Sequence, residues 1–294
     1  MSSFEVPIDQ RQLFLDDAGI AEVRNLTRTF HQPQKRGAVA RSSTPQQTIQ
    51  TVSTPVWDPD EKLFKFWVIG TDDSYRTSPD GLHWTPSPRN PVGPRLEQSG
   101  LIRWNGCYYV NGQGPGHPGP MRALHTYASY DFEHWTEASV LGLQRSPLLE
   151  GPTTEDRTLT GEEVHLGAAL HHRGNVILGI YGQWHGHPTG DRRYVAMDLG
   201  FLISHDAMHF HEPIRDFRFI AGREEQGSTL GYGHSLAQGQ GMENVGDKTL
   251  YWYALWRIDG QVRLATWDRD RFGYVTPCQP NPNDYRKGSQ LITC

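Results

Sequence analysis

The sequence has little cysteine. Its three residues, Cys107, Cys278 and Cys294, are odd in number, scattered, and form no CxxC pair. That excludes a disulfide framework and a thiolate clasp of the usual spacing, and it points to a reducing compartment, with the cytoplasm as the expected location. Long apolar runs are also missing, so no segment reads as crossing a bilayer and no membrane partner is expected. The opening MSSFEVPIDQRQ has neither the basic stretch nor the apolar stretch of a secretory leader. Positive charge is in deficit, with 28 Lys and Arg against 33 Asp and Glu and a net charge of −5. This argues against nucleic acid as a partner. No phosphate-binding glycine loop or dinucleotide fingerprint occurs, nor a nucleophile elbow, so no cofactor is expected. The WHGHP stretch holds His185 and His187 with no carboxylate close in sequence, which is a weak metal signal and reads as a loop pair.

What the chain does have is Gly, Pro, Tyr and Trp, at 31, 20, 12 and 9 residues. That mixture favours turns and aromatic strands over helices. One small pattern recurs: SPDGLHW at 78–84, SYDFEHW at 129–135, SHDAMHF at 204–210 and TWDRDRF at 266–272. The copies stand roughly 50–75 residues apart, a spacing that signals solenoids or propellers. Each follows a short aromatic or β-branched run: LFKFWVIG, CYYVNG, NVILGIYG and TLYWYALW. Each run is entered through a tight turn of the hairpin kind, and the runs read as buried strands. The unit is a four-stranded antiparallel blade, and repeated blades make a β-propeller. Asp80, Asp131, Asp206 and Asp268 are expected to hold the turns by accepting their own backbone N–H groups, and so to be scaffold. Four blades are legible between about residues 46 and 275, and strands from both chain ends are expected to close a fifth.

The stretches QLFLDD (12–17), LTRTFHQP (26–33) and GQGMENVGDKTLYWY (239–253), together with the S-x-D-G-x-x-W turn, resemble a known group. The chain is similar to the five-bladed β-propeller glycoside hydrolases related to invertases, levansucrases and arabinanases, and in particular to bacterial family 32-like homologues. The resemblance implies an all-β, five-bladed propeller over residues 1–294, without the further β-sandwich that relatives often carry. It also implies a glycosidase with a carbohydrate substrate, and three carboxylates: a proton donor, a nucleophile or base, and one that holds the sugar ring.

Glycoside cleavage needs a carboxyl that protonates the leaving oxygen and a second that acts as nucleophile or base. In a propeller such groups belong at the start of innermost strands. Asp16 and Asp17 end the QLFL run, where a turn cap and a first-blade nucleophile or base are equal readings; the resemblance makes Asp17 the nucleophile or base. Glu97, in PRLEQSGLIRW, begins the next inner strand and reads most simply as a solvated loop acid. Glu162 and Glu163 begin another, followed by His165. Alternation sends the pair to opposite faces, so Glu163, on the face of His165, is the expected acid, its proton affinity raised by Glu162. The glycine-dense GYGHSLAQGQGMENVGD carries His234, Gln238, Gln240 and Glu243, residue types that suit sugar hydroxyls, with Glu243 expected to grip the ring. Arg257 is a further candidate, though a hairpin turn explains it equally well. The rival readings are a non-catalytic carbohydrate-binding propeller and a scaffold that binds protein on its rim.

Overall fold

The computed structural model of the chain describes residues 13–41, 55–67, 75–79, 85–94, 97–115, 122–145, 161–173, 176–222, 237–255, 261–278 and 290–293. Three strands come first: β1 (Ile20–Arg24), β2 (Leu26–Phe30) and β3 (Gln34–Arg41). The first blade follows as β4 (Val56–Asp58), β5 (Leu63–Trp67), β6 (Tyr75–Ser78) and β7 (Thr85–Pro86). The second is β8 (Glu97–Trp104), β9 (Cys107–Pro115), β10 (Arg122–Ser129) and β11 (Val140–Leu143). The third is β12 (Glu162–His172), β13 (Ile177–His185), β14 (Ala196–Ser204) and β15 (Arg218–Ile220). Within each of these blades the strands pair in chain order, antiparallel throughout.

The fourth blade is built differently. Its strands β16 (Ala237–Val245), β17 (Lys248–Leu255) and β18 (Gln261–Asp268) are joined on the outside by β3, from the other end of the chain. The last strands, β19 (Gly273–Pro277) and β20 (Gln290–Thr293), pair with β2 and β1. Strands from both ends do come together, as expected. The expected fifth blade is not assembled among the described residues, which form four four-stranded sheets and two two-stranded ones. The physical reason lies in β18, whose outer edge would otherwise present unpaired N–H and C=O groups; β3 covers it.

The hairpins follow the local sequence. Between Trp104 and Cys107 lie Asn105 and Gly106, both with positive φ (50° and 76°), the conformation that an Asn-Gly turn supplies at little cost. The first strands of successive blades lie side by side, β4 by β8, β8 by β12 and β12 by β16, and the space between blades is filled from both. Tyr75, Leu101, Tyr108, Val110 and Phe132 join blades one and two. Ile102, Leu124, Val164, Leu202 and Phe210 join two and three. Phe201, Phe219 and Trp267 join three and four, with ring centroids 5.3 and 4.4 Å apart along that series. The third blade is the most enclosed: every residue of β14 is buried, and all of β13 but His185.

The recurring turn behaves as read in two of the three copies described. Asp131 Oδ1 accepts the N–H of Glu133 (2.9 Å) and of His134 (2.8 Å). Asp206 Oδ1 accepts those of Met208 (2.8 Å) and His209 (2.7 Å). The next residue turns left-handed in both, Phe132 at φ 71° and Ala207 at φ 63°. The copy at Asp268 departs. Its carboxylate pairs with Lys248, and the left-handed residue is Asp270, whose N–H donates to Thr249 Oγ1 at 2.9 Å. Asp80 lies outside the described residues.

Candidate functional site

The last residues of β8, β12 and β16 gather around one groove, so these innermost strands begin together at the other end, the opening end. At the start of β12 the alternation expected from the sequence holds: the Glu162 side chain is 44% exposed and Glu163 is wholly buried. Glu163 stands opposite Trp184 of β13, and His165 opposite Gly182. A Cβ on Gly182 would fall 2.2 Å from the His165 carbonyl oxygen, so a side chain there would push the strands apart. His165 Nδ1 lies 2.8 Å from a terminal nitrogen of Arg122, the first residue of β10. A guanidinium can only donate, so Nδ1 is the acceptor and a neutral ring carries its proton on Nε2. The Trp184 ring packs 4.9 Å from His165 and 5.6 Å from the Arg122 guanidinium. Trp184 is buried, so it supports the pair rather than offering a face to a ligand.

On the other face of β12, Glu162 belongs to a row of charges that runs outward across the blade. Its carboxylate meets His185 Nδ1 at 2.7 Å and Arg145 at 2.8 Å. His185 Nε2 in turn meets Asp198 at 3.1 Å. Asp198 also receives the Gly222 N–H (2.7 Å) and Arg218 Nε (3.1 Å), and Arg145 reaches Asp216 at 2.9 Å. Burial works against charge on both His185 and Asp198. The bonds with Asp198 and Glu162 outweigh it and raise the His185 pKa, and the bonds from His185 and Gly222 outweigh it and lower that of Asp198. The like-charge push expected from Glu162 on Glu163 is therefore offset: Glu162 is answered by Arg145 and His185 and points the other way. Arg122, Arg145 and Asp198 were missed by the reading of the sequence. The signal was an acid inside an apolar run, Asp198 in VAMDLGFLI, a placement that requires partners.

The other expected residues divide. Glu97 begins β8, and Gln238 and Gln240 stand in the first half of β16, so their backbones lie toward the opening end with Glu163 and His165. His234 and Arg257 lie outside the described residues. Asp17 does not approach Glu163. Residues 15–19 form turns rather than an inner strand; Asp17 is 73% exposed and pairs with Arg28 at 2.7 Å. Its neighbour Asp16 is fixed by His205 and His211, each at 3.1 Å. His205 follows β14 directly. Along β14 it lies eight residues beyond Met197, which pairs with the Glu163 partner Trp184, or roughly 26 Å at ~3.3 Å per residue. Glu243 is exposed near the end of β16, opposite Leu250, again away from the opening end. It was expected to begin an inner strand. The glycine-rich segment before it is itself the inner strand, and the aromatic run after it is the second.

Among the described residues no group of three or more His, Cys, Asp or Glu side chains is placed to hold a metal ion. No protein-family model matches the chain, and no curated protein does. Solved structures do resemble it. A β-1,2-mannobiose phosphorylase from Listeria innocua superposes with a TM-score of 0.43 at 13% identity, over 66% of this chain and 50% of that one. A glycosyl hydrolase from Bacteroides ovatus gives 0.40 at 13% identity, over 85% and 98%. A further glycoside hydrolase gives 0.43 at 10% identity, over 72% and 68%. The chain thus spans half the length of the phosphorylase.

Proposed function

We propose that the protein is a glycoside hydrolase that cleaves its substrate at the opening end of the propeller, with Glu163 as proton donor. One observation carries this reading: a carboxylic acid with no exposure to solvent begins an innermost strand, on the face that His165 shares. A carboxyl withheld from water is the kind that donates a proton to a leaving sugar oxygen. His165, steadied by Arg122 and Trp184, is proposed to help position the sugar beside Glu163. Glu97 is the candidate for the second carboxylate, because β8 runs beside β12 and begins at the same end. Gln238 and Gln240 are proposed to bind hydroxyls there. The positions of Asp17 and Glu243 support neither in the acid pair.

A screen of glycosides with products identified by mass tests the reading, run with and without phosphate. Free sugar released without phosphate supports hydrolysis. Sugar phosphate formed only when phosphate is present would move the reaction to phosphorolysis at the same acid. A non-catalytic carbohydrate-binding propeller is the second reading, favoured by the separation of Asp17 and Glu243 from Glu163. In that case no glycoside in the screen is cleaved, while Glu163→Gln alters sugar binding.

A further inference from the structure

The far ends of the innermost strands enclose a cavity. Residues of β4, β8, β12 and β16 surround a groove of about 470 Å³, within the ~300–1,000 Å³ of small-molecule sites. It is not part of the site at Glu163. His172, on its wall, is nine residues further along β12, roughly 25–30 Å at ~3.3 Å per residue. Its floor is apolar, with Ile102, Leu170 and Met242 each 5% exposed.

The rim is a different material. Trp57 is 42% exposed and braced by Phe64, the ring centroids 4.7 Å apart at an interplanar angle of 57°, so its indole is partly open beside the cavity. Glu243 is exposed, and among the described residues its carboxylate accepts only the N–H of Asn244, at 2.7 Å. Arg103 Nε and His171 Nε2 are buried without a hydrogen-bond partner among the described residues, a state that costs free energy until a partner arrives. Burial, and less strongly the Arg173 charge, lowers the His171 pKa to about 4, even though Glu243 pulls the other way. Its ring is neutral at pH 7. The Arg103 charge is already met by Asp60.

An aromatic face, an apolar floor, a carboxylate acceptor and unspent nitrogen atoms, with only one carboxylate charge unanswered, describe a ligand of one kind. It has an apolar ring face and many hydroxyls, and it carries no charge. We infer that this groove binds a neutral saccharide, with the sugar ring stacked on Trp57 and its hydroxyls shared among Glu243, His171 and Arg103. The inference rests on the groove's own chemistry and does not depend on the reading of Glu163. The groove then holds a glycan without cleaving it.

The test is calorimetric titration of the wild-type protein, Glu163→Gln, Trp57→Ala and Glu243→Gln with cellobiose, maltose, lactose and β-1,2-mannobiose. Choline chloride and sodium acetate serve as charged controls. Saturable binding of at least one disaccharide is expected in the wild type and in Glu163→Gln. It should weaken about tenfold or more in Trp57→Ala and in Glu243→Gln, both exposed positions whose replacement leaves the core intact. The inference is overturned if no disaccharide saturates, or if both groove variants bind as tightly as the wild type. It is also overturned if choline or acetate binds better than every sugar, or if binding is lost only in Glu163→Gln. A wild type that binds but releases no product would sink the hydrolase reading alone.

Discussion

The two ends of β12 use the same residue types to opposite effect. At the opening end, Glu162, His185, Asp198, Arg145 and Arg218 answer one another across the third blade. At the far end, His171, Arg103 and Glu243 stand around an apolar floor with polar atoms unused. The first arrangement is fixed before any ligand arrives, which suits chemistry that needs groups held in place. The second is open to a ligand that brings its own hydrogen bonds. One strand therefore carries a rigid end and a receptive end, and the identities of its residues alone do not tell them apart.

The largest effect should come at the rigid end. Glu163→Gln keeps the shape of the side chain and removes the transferable proton, so turnover should fall by about 10²–10⁴ with the melting temperature nearly unchanged. Loss of the fold instead would make Glu163 a structural acid and erase the functional contrast between the ends.

Next comes a pair of arginines. Arg145 has a side chain only 4% exposed and bridges Glu162 and Asp216. Arg145→Met removes a buried donor that also bonds the Trp184 carbonyl at 3.2 Å, while Glu162 keeps His185; the loss of these charge-assisted bonds should cost roughly 2–3 kcal/mol. Arg103, its far-end counterpart, pairs with Asp60, which is 77% exposed and can turn to water. Arg103→Met should cost about 1 kcal/mol or less. Urea denaturation of the two variants measures the contrast directly, and equal costs would break it.

How much of this could be read from the chain alone depends on how local the signal is. The second strands of the blades were legible because aromatic and β-branched residues crowd there between tight turns: Leu63–Trp67, Cys107–Pro115, Ile177–His185 and Lys248–Leu255 match the four aromatic runs. The Asp turns were legible because Asp131 and Asp206 bond to residues within three places of themselves, Ser129 and Ser204 included. The alternation of Glu162 and Glu163 was legible for the same reason. The joining of β3 to β18 was not, because it links residues more than 200 apart and leaves no local trace. Nor was the inner strand at Ala237–Val245, where three residues in five from Gly239 to Glu243 are glycine or methionine and the usual strand propensity is missing. That error moved Glu243 from the far end, where it lies, to the opening end. Asp16 and Asp17 misled in another way: their role depends on His205, His211 and Arg28, partners that only the fold brings near.

The smallest effect is the most direct test of the contrast, because it follows one residue type at both ends. His185 has both ring nitrogens on carboxylates, and those bonds outweigh its burial and raise its pKa. Below the unfolded value of about 6.5 its contribution to stability is fully present; it is lost as pH rises through the raised folded value. His171 is the reverse. Burial lowers it to about 4, so below pH 6.5 the unfolded chain takes up a proton that the folded chain refuses. Its contribution shrinks as pH falls from 6.5 toward 4 and levels off beneath that. Each slope is limited to about 1.4 kcal/mol per pH unit, the value for one proton. Denaturation midpoints of the wild type, His185→Gln and His171→Gln between pH 4 and 8 resolve them. The gap between the wild type and His185→Gln should widen as pH falls from 8 toward 6. The gap between the wild type and His171→Gln should narrow as pH falls from 6.5 to 4. Slopes of the same sign would mean that the two ends present one electrostatic environment, and the division between a fixed end and a receptive one would fail.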